Sequence, residues 1–200
     1  MKGRFIALLL VLNLLFLTAV LVRPLFFQSS ATAQAPLKSE PKDNQELTRL
    51  MDEDQADRTP PAGKSIDWKV VGPRDDARLK RVKEIYQQGQ LMTGNDYFNV
   101  ALLLQHGNTP DDYLLAHELA VVAISKKRGI DSMAAVSEDR FLMSIGRPQR
   151  FGTQYRSDGP KQPLRLYKVD PGVTDHLRRV MNVPPLAEAK AREADMNKTR

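Results

Sequence analysis

Apolar residues open this chain as one block, at residues 5–22, interrupted only by Asn13 and Thr18. A helix of that length spans about 27 Å, close to the hydrocarbon core of a bilayer. Lys2 and Arg4 precede the block and Arg23 follows it. Further on, Ala31-Thr32-Ala33 has the small-residue form of a signal-peptidase site. Residues 1–27 therefore read as a signal anchor or a cleavable signal peptide. In either case the basic flank keeps the N-terminus inside and sends the rest outside the cytoplasmic membrane. The protein is then single-pass and anchored through residues 5–22, or secreted or periplasmic after cleavage.

Residues 28–43 are rich in Ser, Ala, Gln, Pro and Lys and read as a flexible tether. The pattern then takes a helical period. Leu47, Leu50 and Met51 form an i, i+3, i+4 stripe over residues 44–58. Ile66, Trp68, Val70 and Val71 predict a short extended segment, with Gly72-Pro73 opening a helix to residue 88 on the stripe Leu79, Val82, Ile85 and Tyr86. A third helix is expected over residues 95–106. Thr109-Pro110-Asp111-Asp112 is a strong start for a fourth. Residues 114–124 are apolar nearly all round, which predicts the central, most buried helix. A fifth is expected over 131–144.

Past Gly146 and Pro148 the period changes. Residues 151–156 and 164–169 predict paired strands across Ser157-Asp158-Gly159-Pro160, and a short helix follows Asp170-Pro171-Gly172. The expected fold is mainly α: a helical domain of about five to six helices with a small C-terminal β-hairpin or extended segment, over residues 44–187. Residues 188–200 form a charged, Ala-rich tail without a strong apolar face.

The chain has no cysteine, so disulfides play no part in its stability outside the cell. The net charge of +6 is uneven. Residues 126–168 hold ten basic and four acidic side chains, whereas residues 34–125 are acidic overall. With no platform of alternating aromatic and basic residues, nucleic acid is not an expected partner.

The basic excess surrounds the stretch DRFLMSIGRPQRFGTQYRSDG, residues 139–159. Here Asp139, Arg140, Arg147, Gln149, Arg150, Thr153, Gln154 and Tyr155 are interleaved with Phe141, Leu142, Ile145 and Phe151. Polar groups beside apolar anchors imply a partly buried polar network or a site. Together with Asp54-Gln55-x-x-Arg58, Asp139-Arg140, Asp96, Gln105-His106-Gly107 and Pro184-Pro185-Leu186, the string Gly146-Arg147-Pro148-Gln149-Arg150-Phe151-Gly152-Thr153-Gln154 resembles an uncharacterised family of bacterial domains of unknown function. That resemblance implies a mostly helical fold over residues 44–187 and brings no activity with it.

Several residue groups invite a chemical reading. His117-Glu118 begins like a zinc-protease helix, but Val121 stands where the second histidine must be. A buried Glu118 would then need a partner such as Arg140. His106 ends a helix and, oriented by Asp139, has the make-up of a general base. Asp52, Glu53, Asp54 and Asp57 cluster on the first helix, with Asp54 and Arg58 spaced as an ion pair. Arg147, Gln149, Arg150 and Thr153, with Arg156 and Lys161 nearby, offer donors for a phosphate or carboxylate. The expected function is an exported binding or interaction module for a protein or an anionic ligand. The alternative is a hydrolase-like enzyme using His106, Asp139, Arg140 and Gln154. No metal or cofactor is implied.

Overall fold

Side-chain caps decide where most of the helices begin. In this computed structural model, which describes residues 40–128, 132–159 and 162–198, α1 (Gln45–Asp57) starts at Asn44, whose side chain accepts from the Glu46 and Leu47 amides. Asp67 caps α2 (Trp68–Gln87) through the Lys69 amide. Thr93 and Asp96 make a reciprocal capping box at α3 (Gly94–Leu104), and Thr109 and Asp112 make another at α4 (Pro110–Ser125). α5 (Met133–Ser144) has no side-chain cap bond, and Thr174 caps α6 (Asp175–Val180). The chain is mainly helical, as expected, with one small antiparallel hairpin.

α1 to α5 share one apolar core. Leu47 and Leu50 of α1, Val82 and Ile85 of α2, Val100, Leu103 and Leu104 of α3, Ala116, Leu119 and Ala120 of α4 and Ala134 of α5 pack together in it. The most enclosed helix is α3, which touches α1, α2, α4 and α5. This corrects the expectation for residues 114–124. α4 buries Ala116, Leu119, Ala120 and Ala123 but leaves Leu114 and Val121 exposed. Its all-round apolar composition exceeds what the bundle covers.

A second correction concerns residues 68–71, which are helical and not extended. α2 begins at Trp68, so Pro73 stands inside it. The Asp67 cap and the burial of Val71 hold the first turn, at the cost of the one intrahelical bond that Pro73 cannot donate.

After α5 the chain wraps a smaller cluster of Ala135, Phe151, Val173 and Val183. The hairpin is β1 (Tyr155–Arg156) with β2 (Arg165–Leu166), shorter than the segments expected, in the register Tyr155 to Leu166 and Arg156 to Arg165. Gln149 adds a parallel bridge to Val169. The charged tail from residue 188 continues α7 (Leu186–Lys198), which docks by polar contacts. Glu193 accepts from the Leu166 amide at 2.8 Å, Asn197 brackets Leu164, and the Tyr155 hydroxyl donates to the Ala189 carbonyl at 2.6 Å.

The anchor or signal reading of residues 1–27, and most of the tether, fall outside the described residues. Among the described residues no helix is long and apolar enough to cross a membrane. Asn95 donates to Asp43 at the point where the chain enters α1.

Candidate functional site

Two acids on the inner faces of α1 and α2 order the charges of the site. Asp54 lies on the same stripe as Leu47 and Leu50 and is fully buried. Arg58 reaches back to it at 2.7 Å and forks onto Asp75 at 2.8 Å. Arg78, on the stripe of Val71, Val82 and Ile85, bonds Asp75 at 2.6 Å and Asp57 at 2.9 Å. Arg74 closes the network on Asp57. Burial works to raise the Asp75 carboxyl, but the hydrogen bonds from Arg58 and Arg78 outweigh it and hold the group below its ordinary value.

His106 enters from the end of α3. Its Nδ1 lies 3.0 Å from Asp54 Oδ1. A carboxylate only accepts, so Nδ1 bears the hydrogen and a neutral ring keeps its lone pair on Nε2. The orienting acid is therefore Asp54, and the expected pairing of His106 with Asp139 is corrected. Gly107 follows because a Cβ there would stand 2.6 Å from Asp112 Cβ. Asp112 is itself fixed by the α4 cap and by Lys83.

Arg140 closes the site from α5. Its Nε donates to Gln154 Oε1 at 3.1 Å and its Nη1 to the Gln105 carbonyl at 2.8 Å, with the Tyr113 ring 5.8 Å away. No carboxylate among the described residues pairs with it. Burial lowers its affinity for the proton, and the nearby Arg58 charge works in the same direction, against the Tyr113 contribution. The expected Glu118–Arg140 pair does not form, because Glu118 is solvent-exposed. His117 bonds the Ala134 carbonyl instead.

Arg58, His106 and Arg140 line a cleft of about 620 Å³. Ile66, Trp68 and Gly72 form its apolar side, and Asp75 and Asp76 stand on its wall. Trp68 is 61% exposed, an aromatic face with no cover. A second groove of about 490 Å³, between α1 and α2, is lined by Arg74, Arg78, Asp57 and Glu53. Its two arginines are matched by Asp57 and Asp75, which leaves no free cation there.

The loop after α5 is held by Asp139, which is completely buried. One carboxylate oxygen accepts from the Arg150 amide at 2.6 Å and the Phe151 amide at 2.9 Å; the other accepts from the Thr153 amide at 3.0 Å and hydroxyl at 2.8 Å. Gly152, at φ +83°, allows the chain to curl around it. Gln149 is also completely buried; it donates to the Gln154 and Tyr167 carbonyls and accepts from the Gln154 amide. Gln154 spans the two parts, accepting from Arg140 and donating to Thr153 and Val136. Both Asp139 and Gln149 are thus buried and satisfied by protein.

Asp139, Arg140, Gln149 and Gln154 do come together, and Arg140 meets His106 at the cleft. The donor set expected for an anion does not. Arg147 is exposed, Gln149 is enclosed, Arg150 lies between Glu138 and Asp170, and Thr153 is held on Asp139. The Asp54–Arg58 ion pair forms as expected, but sequence reasoning did not place it in the site, and it missed Asp75 and Trp68. The usable signal was a charged residue inside an apolar stripe, Asp54 on α1 and Arg78 on α2. Among the described residues no group of His, Asp and Glu is arranged to hold a metal.

Family models, curated proteins and solved structures each yield no match to this chain.

Proposed function

We propose that this domain is an exported binding module whose cleft captures an anionic group on Arg140, with His106 and Arg58 beside it. One observation carries the reading: Arg140 is a largely desolvated guanidinium with no carboxylate partner among the described residues, held by two neutral acceptors, and it lines the cleft. A buried cation without a counter-ion is costly, and a bound phosphate or carboxylate offsets that cost with charge-assisted hydrogen bonds. Of the other charges on the cleft, Arg58 and Asp75 are paired with each other, and Asp76 is exposed to water, which screens it. Ile66 and Trp68 would cover the apolar body of such a ligand. The volume is that of a small-molecule site.

Calorimetry with inorganic phosphate and with acetate tests this. Saturable binding of at least one is expected. Arg140→Leu should weaken it by roughly tenfold or more, the worth of one charge-assisted bond, while Arg147→Leu leaves it unchanged. Equal losses in the two variants would refute the cleft as the site. The location is tested separately: protease added to spheroplasts digests the domain if residues 1–27 export it, and spares it if they do not.

A further inference from the structure

We propose that the cleft also hydrolyses phosphodiesters, with His106 as the general base and Asp54 as the residue that positions it. This rests on the anion-binding reading above and extends it to a reaction. His106 Nδ1 is engaged by Asp54 at 3.0 Å, which fixes the ring. Nε2 has no partner among the described residues, and the residue lines the cleft that Arg140 and Arg58 share. A base with an orienting acid and a cation that line one cleft supply the two kinds of group that attack on an anionic centre needs. Phosphodiesters fit both halves. They carry a negative charge in the ground state, for Arg140 to bind, and more charge on the equatorial oxygens during attack, for Arg140 to stabilise.

In the step, Nε2 takes a proton from water as the water oxygen bonds to phosphorus. The phosphorus–oxygen bond to the leaving group breaks and its electron pair stays on the departing oxygen. That oxygen takes a proton from solvent, and Nε2 returns its own to solvent through the open mouth. The products are a phosphomonoester and an alcohol, with water as the only co-reactant.

The probe is bis(p-nitrophenyl) phosphate, offered to the whole chain, with inorganic phosphate binding measured on the same preparations. Turnover is expected in the wild type. His106→Gln should lose it by about 10²-fold or more, far beyond any change in its phosphate affinity, while keeping the wild-type circular dichroism. In His106→Gly, added imidazole should restore part of the turnover, which a purely structural histidine would not permit. Asp54 is embedded in the ion-pair network, so Asp54→Asn is read only through the pH profile of the folded fraction, which should shift. Phosphate binding without turnover, or turnover indifferent to His106, overturns the catalytic proposal and leaves the binding reading standing. Absence of both overturns the two together.

Discussion

Replacing Asp139 by Ala tests whether this acid is a structural clamp. Its two oxygens satisfy three backbone amides and one hydroxyl, all between 2.6 and 3.0 Å. Asp139 is completely buried and Phe151 is 4% exposed, so water has little access to the freed Phe151 amide. Each buried donor left without an acceptor costs roughly 1–3 kcal/mol. Arg150 and Thr153 are partly exposed and regain part of their loss from solvent. The net loss comes to about 3–5 kcal/mol, in the range measured when one member of a buried charged network is removed. Against a total of roughly 5–15 kcal/mol for such a domain, that is severe, and it should lower Tm by about 10 °C or more. Urea unfolding followed by circular dichroism measures it, with the exposed Asp52→Ala as the control. Hydrogen exchange at Arg150, Phe151 and Thr153 should accelerate in the variant before global unfolding. A loss below about 0.5 kcal/mol would refute the clamp and return Asp139 to the list of residues available for chemistry.

Three further outcomes follow from the same geometry. Leu119→Asp places a charge at a position 4% exposed in the shared core and should abolish cooperative urea unfolding; a wild-type midpoint would contradict the packing of α4. Gly107→Ala drives a Cβ to 2.6 Å from Asp112, so the variant should lose about 1–3 kcal/mol, and an unchanged melting curve would show that the turn before α4 yields. Burial works to raise the Asp75 and Asp112 carboxyls, but hydrogen bonds, from Arg58 and Arg78 in one case and from Lys83 and Thr109 in the other, hold both below the ordinary 3.8. The unfolded chain then takes up these protons first on acidification. Their contribution is complete above about pH 4 and is lost as pH falls through the lowered values. Urea midpoints should drop steeply there and less steeply in Asp75→Asn; identical slopes would contradict the network.

The parts of the fold that were legible in the sequence are those where local signals and burial agree. Thr109-Pro110-Asp111-Asp112 marks the start of α4 because cap, proline and acid all serve the same amides. The start of α2 was misread because Pro73 is a strong early-helix signal and Asp67 a quieter one, and packing of Val71 chose the latter. α4 was judged central from its composition, whereas centrality depends on how many neighbours a helix has, which is a tertiary property that favours α3. The docking of α7 was hidden because Glu193 and Asn197 act as substitutes for a missing strand partner, and such contacts leave no apolar stripe. In the site, the gathering of Asp139, Arg140, Gln149 and Gln154 was readable from their closeness in the chain. The Asp54–His106 pair was not, since 52 positions separate its members and only the packing of α1 on α3 joins them.

The most direct test of the cleft is a phosphate titration followed through the Nε–H resonances of the arginine side chains. An anion seated beside His106 should shift the Arg140 signal saturably, together with the His106 ring protons, and leave Arg147 and Arg156 in place. A titration that moves Arg147 and Arg156 as much as Arg140, or that leaves Arg140 unmoved at saturation, would contradict the anion site.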